Sequence, residues 1–292
     1  MQQRIVHFFS EGSRIEADYF LPDHPGLDNQ SLPGIVLCHG YSGMRFQLLP
    51  EFGRIFADAG YAVLSMDYRG FGGSEGPKWR LMPLEQVEDI RNAITFLQQQ
   101  AEVDAQRIGL WGTSNGGAHI AYVAGVDQRV KAAVGQVGYG DGWHLFMDMR
   151  NAKQRSELLE TIAADRRERV LTGRGSGADI PTILCNEETR NYFGEVFEES
   201  PEFRSVIPWE SVEAHMEYRP IDVVHRIAPR ALMLIGAEHD EVCRIDGYRK
   251  MFERAGEPKR FVSLPITHYE IYTPEGVEKT AAMALEWYRE HL

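Results

Sequence analysis

The sequence predicts an α/β fold, with a mostly parallel sheet, helices on both faces and an inserted helical segment. Three observations predict it. Short continuous apolar runs alternate with longer amphipathic stretches. The runs lack the in-out alternation of half-exposed strands, so both of their faces must be covered. One stretch, 142–215, breaks this rhythm.

In chain order, Arg4 to Phe9 and Arg14 to Leu21 alternate like a hairpin about Glu11-Gly12-Ser13. Buried strands are expected at 34–38, 61–66, 107–111, 130–134, 231–235 and 260–264, where β-branched and aliphatic residues cluster. Helical periods run from Phe46 to Ala59, Pro83 to Gln99, Ser114 to Val126, Ile245 to Ala255 and Pro274 to His291. The 142–215 stretch is rich in charge and aromatics, carries a helical period from Arg155 to Leu171, and shows no convincing buried strand. It reads as a mainly helical cap inserted into a core formed by 1–141 and 216–292. Within it, Gly173-Arg174-Gly175-Ser176-Gly177 reads as a mobile loop, and the charges around Arg166, Arg167 and Arg169, with Asp165 and Glu168, read as a solvated helix face.

The chain has 292 residues, 43% of them hydrophobic and 25% charged, so it has the composition of a folded globular protein. Its 31 basic and 43 acidic residues leave a net charge of −12, which argues against a nucleic-acid partner. Three cysteines, Cys38, Cys185 and Cys243, cannot all pair and show no zinc or redox spacing. With no signal-peptide pattern at its start and no membrane-length apolar run, the chain is expected to be cytoplasmic and free of membrane.

The chemistry is carried by Gly112-Thr113-Ser114-Asn115-Gly116, a G-x-S-x-G directly after a strand and directly before a helix. A serine on such a turn projects its hydroxyl above the sheet, and the flanking glycines let strand and helix approach. A hydroxyl is a weak nucleophile until a base takes its proton, and the base needs an orienting carboxylate. Asp240 follows the 231–235 run and His268 follows the last strand, so both fall at the carboxyl end of the sheet in the order Ser, Asp, His. Glu238, Asp246 and His239 are rivals for these roles. An oxyanion needs two N–H donors: Asn115 supplies one and Tyr41, after His39-Gly40, the other. His39 is read as a buttress of its loop, and Asp67 and Arg69 as residues that fix theirs.

With these motifs and Asp67-Tyr68-Arg69-Gly70-Phe71-Gly72-Gly73-Ser74, the sequence resembles the α/β-hydrolase superfamily, over nearly the whole chain outside the cap. It is most similar to the serine hydrolases related to dienelactone hydrolases, cinnamoyl esterases and prolyl-peptidase catalytic domains, a group whose tail resembles His268-Tyr269-Glu270-Ile271-Tyr272. The resemblance implies an α/β-hydrolase fold, a Ser114, Asp240, His268 triad, and Tyr41 and Asn115 as the oxyanion donors. It implies no cofactor, and no metal-ligand spacing occurs.

The expected activity is cleavage of a carboxylic ester or related acyl compound through an acyl-serine. Thioester, peptide-bond or β-diketone-type carbon–carbon cleavage on the same triad is the alternative, and a non-catalytic binding module is disfavoured. Trp143, Phe193 and Arg150 are the candidate substrate contacts within the cap, Arg150 for a substrate carboxylate or otherwise as a solvated ion pair. The expected partner is a small-molecule substrate, with a homodimer as the alternative use of the cap.

Overall fold

A computed structural model describes residues 1–23, 31–199 and 204–292. Strands β1 (Gln2–Ser10) and β2 (Ser13–Leu21) form an antiparallel hairpin. Its turn places Glu11 and Gly12 at φ +46° and +83°, the double left-handed turn whose twist matches the paired strands. Then come β3 (Leu32–Cys38), α1 (Leu49–Asp58), β4 (Ala62–Met66), α2 (Pro83–Gln98), β5 (Val103–Thr113), α3 (Asn115–Val126) and β6 (Val130–Gln136). The apolar period that begins at Phe46 becomes helix only at Leu49. Pro50 sits in the first turn, where its missing N–H is not needed.

The stretch expected to be an insertion, between β6 and the return to the main sheet, holds α4 (Gly142–Met147), α5 (Ala152–Thr172), β7 (Gly177–Ala178), α6 (Ile180–Ile183), α7 (Glu187–Glu199), β8 (Ile207–Pro208) and α8 (Trp209–Met216). β7 and β8 pair only with each other. The chain then returns to the main sheet through β9 (Ala231–Ala237), α9 (Ile245–Arg254), β10 (Lys259–Leu264) and α10 (Pro274–His291).

Eight strands form one sheet in the order β1-β2-β4-β3-β5-β6-β9-β10, antiparallel at the β1, β2 edge and parallel from β4 onward. Successive side chains point to opposite faces, so Ile35 and Leu37 of β3 face one core while Val36 and Cys38 face the other. α1 and α10 cover the first face, where Phe52 lies 4.0 Å from Trp111 and Phe56 meets Tyr288 edge-on. α2, α3 and α9 cover the second with Ile90, Ile120 and Met251. Phe146, Leu158, Ile162, Ile183 and Val212 of the inserted segment are buried in that same second core.

Two expectations for the insertion need correction. Asp165 is buried, not on a solvated face: it accepts Nε of Arg169, and both the N–H and the hydroxyl of Ser176. Those bonds, the left-handed Gly173 that ends α5 and the pairing of Gly177 with Pro208 tie down the 173–177 run. A charge on a helix reads as a surface residue until its partners are known. Among the described residues no helix is long and apolar enough to cross a membrane.

Candidate active site

From β3 the chain adds β4 on one side and β5 on the other, and where the strand order switches in this way the carboxyl ends of the parallel strands open a crevice. Ser114 stands there, between β5 and α3, at φ +54° and ψ −117°. A left-handed non-glycine residue costs on the order of 1–3 kcal/mol and persists only where its surroundings impose it. Here they do. A Cβ on Gly116 would lie 2.1 Å from the Cys38 carbonyl oxygen, and one on Gly112 would lie 2.3 Å from the Gly116 carbonyl oxygen. β3, β5 and α3 therefore meet backbone to backbone, and the Ser114 N–H is pinned to the Gln136 carbonyl at 2.9 Å.

The Ser114 hydroxyl lies 3.2 Å from Nε2 of His268, and Nδ1 of His268 lies 2.7 Å from Oδ2 of Asp240. All three residues are buried. The other oxygen of Asp240 accepts N–H bonds from Val242 at 2.8 Å and Cys243 at 2.6 Å, which fixes the carboxylate plane. The rivals lie elsewhere: Glu238 accepts a hydrogen bond from Ser263, Asp246 pairs weakly with Arg249, and His239 is exposed. The Cys243 thiol lies near Ser114, and burial, reinforced by Asp240, pushes its pKa well above the ordinary thiol value, which disfavours a thiolate there.

The loop after β3 runs against the serine: a Cβ on Gly40 would lie 3.3 Å from the Ser114 Cβ. Among the described residues, the N–H groups of Tyr41 and Asn115 have no acceptor. His39 Nδ1 lies 3.0 Å from the Gly40 carbonyl and Nε2 3.5 Å from the Tyr68 N–H. A carbonyl accepts and an amide donates, so the ring is the neutral Nδ1–H form, which burial favours by lowering its pKa. It supports the loop rather than reacting. Asp67 accepts the N–H groups of Arg45 and Gly73, and Arg69 is paired with the buried Asp89, so both fix the neighbouring loop.

Sequence reasoning missed the network that holds Asn115. Its amide nitrogen lies 3.0 Å from Nε2 of His119 and 3.3 Å from Oε1 of Gln86, and its carbonyl accepts the Tyr139 hydroxyl at 2.7 Å. His119 Nδ1 in turn meets the Tyr218 hydroxyl at 3.1 Å. The one signal available was spacing, since His119 is four residues after Asn115 and shares its helix face.

A cavity of about 140 Å³ opens at Ser114 and His268. Met44, Leu48, Leu49, Ile180, Leu184 and Phe193 are among its walls, and among the described residues no Asp, Glu, Lys or Arg lines it. Of the three candidate substrate contacts, Phe193 lines it. Trp143 does not: α4 turns Leu145, Phe146 and Met147 inward and leaves Trp143 46% exposed. Arg150 does not either. It is buried, and its guanidinium donates to the carbonyls of Phe146 and Ile183, so it pins α4 to α6 and meets neither a substrate carboxylate nor solvent. Desolvation lowers its pKa.

Two buried histidines are expected to make stability depend on pH. His215 donates Nδ1–H to the Ser211 carbonyl at 2.8 Å, and burial lowers its pKa from 6.5 to about 4. His119 is lowered well below its ordinary value, also by burial. Between those pH values the unfolded chain binds protons that the native chain refuses, so stability falls as pH drops from 6.5 toward 4. For His215 alone the loss is on the order of 3 kcal/mol at the acid end. Urea denaturation across this window is expected to show the slope, and His215→Asn, which keeps a donor for Ser211, is expected to flatten it. A slope unchanged by the substitution would assign the acid loss elsewhere.

Residues 33–173 match the family described as alpha/beta hydrolase fold. The chain is 33% identical over 288 residues to an uncharacterized 31.7 kDa protein from the traX-finO intergenic region of Escherichia coli, covering 98% of each. It is 26% identical over 250 residues to thiohydrolase aneE of Aspergillus aculeatus, covering 78% of this chain and 76% of that one. The crystal structure of the alpha/beta hydrolase GrgF from Penicillium sp. sh18 superimposes with a TM-score of 0.82 at 23% identity, covering 100% of this chain and 99% of that one, a likeness of fold. With the family match, the full-length relative and a mostly parallel eight-stranded sheet carrying helices on both faces, the chain belongs to the alpha/beta hydrolase family and is a hydrolase.

Proposed function

We propose that this protein is a serine hydrolase that cleaves a carboxylic ester or thioester of an uncharged acyl group through an acyl-Ser114 intermediate. The observation that carries this reading is the hydrogen-bonded chain from Asp240 through His268 to Ser114, ending at a cavity that no charged side chain lines among the described residues. A charged acyl group would lose its hydration there without a partner, which costs several kcal/mol or more. The Ser114 oxygen attacks the acyl carbon as His268 Nε2 takes its proton. The N–H groups of Tyr41 and Asn115 receive the oxyanion. His268 then passes the proton to the departing alkoxide or thiolate, and a water activated by the same nitrogen releases the acid and restores Ser114. The similarity to a protein named thiohydrolase favours the thioester as a second substrate form.

The experiment offers one hexanoyl group as a p-nitrophenyl ester, an N-acetylcysteamine thioester, an anilide and a β-diketone. Ester and thioester are expected to turn over, and stoichiometric labelling by a fluorophosphonate to stop both. Turnover that survives complete labelling, or cleavage of the diketone or anilide alone, would contradict the proposal.

In this reading the 142–215 segment is a cap that sets substrate choice. Phe193→Ala removes an aromatic wall worth about 1.5 kcal/mol and is expected to lower the hexanoyl-to-acetyl ratio of kcat/KM about 10-fold. Trp143→Ala, on the outer face of α4, is expected to leave that ratio unchanged. Equal ratios in wild type and Phe193→Ala would make the cap irrelevant to selection.

A further inference from the structure

The residue after the base is held by the inserted segment, not by the core. The Tyr269 N–H donates to Oε1 of Glu188 at 3.0 Å, and its hydroxyl lies 3.0 Å from the hydroxyl of Thr189, which is fully buried. Its ring stacks on Tyr192, with centroids 4.1 Å apart and planes 11° from parallel. Glu188 and Thr189 lie in the first turn of α7 and Tyr192 in the next. The Tyr269 ring also meets the His268 imidazole edge-on, with centroids 5.0 Å apart. Three residues on, the Tyr272 hydroxyl lies 3.0 Å from that of Thr113, the residue before Ser114. The base therefore sits between one tyrosine anchored to the serine turn and another anchored to α7. The same helix presents Tyr192, Phe193 and Val196 to the cavity.

We propose that α7 and Tyr269 form a latch that sets the position of His268, and that an acyl chain filling the cavity tightens it, so that chain length is selected in kcat. This rests on reading Ser114 and His268 as nucleophile and base. A chain packed against Tyr192 and Phe193 loads the surface that seats Tyr269, and that load is transmitted to the imidazole. A chain too short to reach α7 leaves the latch slack. Thr189 and Tyr269 are thus positioning residues, acting on the reaction through His268.

The test compares kcat and KM for hexanoyl and acetyl p-nitrophenyl esters. Thr189→Val and Tyr269→Phe each abolish the same hydroxyl–hydroxyl hydrogen bond from opposite sides, so either variant carries the test if the other fails to fold. Each is expected to lower kcat for the hexanoyl ester about 10-fold with KM changed less than about 2-fold, bringing the hexanoyl and acetyl kcat values together. Thr189→Ser, which keeps the hydroxyl, is expected to restore the hexanoyl advantage, and the double variant to be no worse than either single one. A loss confined to KM, unchanged kcat values, failure of serine to restore, or additive losses would overturn the latch. Ser114→Ala run in parallel separates the two levels. Turnover by that variant would overturn the serine reading itself, whereas an inert Ser114→Ala beside unaffected latch variants would overturn the latch alone.

Discussion

Ser114→Ala is expected to lower kcat/KM for any ester substrate by about 10⁴-fold or more while leaving the fold intact. The hydroxyl contributes little packing. Its neighbours are the imidazole of His268 and the thiol of Cys243, and the left-handed backbone is imposed by the contacts of Gly112 and Gly116, which the substitution does not touch. Alanine suffers the same strain at this φ as serine, so the thermal midpoint is expected to stay within a few degrees of wild type. A folded variant retaining more than about a tenth of the wild-type rate would exclude covalent catalysis by Ser114, because removing a triad nucleophile removes the route rather than one contact.

Asp240→Asn is expected to cost about 10⁴-fold in kcat, also without unfolding, and the geometry gives the reason. One oxygen of residue 240 accepts two N–H groups, from Val242 and Cys243. An asparagine must put its carbonyl oxygen there and therefore turns its amide nitrogen toward His268 Nδ1. That nitrogen donates, so Nδ1 must be bare and the ring proton moves to Nε2. A protonated Nε2 cannot accept the Ser114 proton. The two losses overlap, so Ser114→Ala with Asp240→Asn is expected to be no slower than Ser114→Ala alone. Stopped-flow or steady-state rates for the three variants, with thermal melts, check this. A near wild-type Asp240→Asn would mean that His268 is oriented by something other than this carboxylate.

The sheet was legible because a strand covered on both faces needs near-continuous apolar residues: β3 and β9 have them, and β4 and β6 are interrupted only by Ser65 and by Lys131 and Gln136. α10 begins at Pro274 and ends at His291, as its period indicates, with Thr273 capping it. The serine turn was legible for a related reason, since backbone contact at Gly112 and Gly116 tolerates no side chain. The inserted segment was less so. Trp143 and Phe193 are equivalent as letters, and only the packing of α4 and α7 decides that one faces water and the other the cavity. Arg150 reads as a receptor for a carboxylate, but two backbone carbonyls, which no sequence pattern marks, accept its protons. Apart from Asn115 with His119, the Asn115 network joins residues 24 to 99 positions apart and the α7 contacts join residues about 80 apart, and such pairs leave no local periodicity.

The central claim is that the acyl group passes through Ser114. Its most direct test is intact mass measurement of the protein acid-quenched during turnover of a hexanoyl ester, followed by peptide mapping. The predicted result is a hexanoyl adduct on the peptide containing Ser114 that forms before product, decays at the turnover rate and is absent from Ser114→Ala. An adduct on another residue, such as Cys243, or full turnover by a chain that carries no acyl group even when deacylation is slowed, would contradict it.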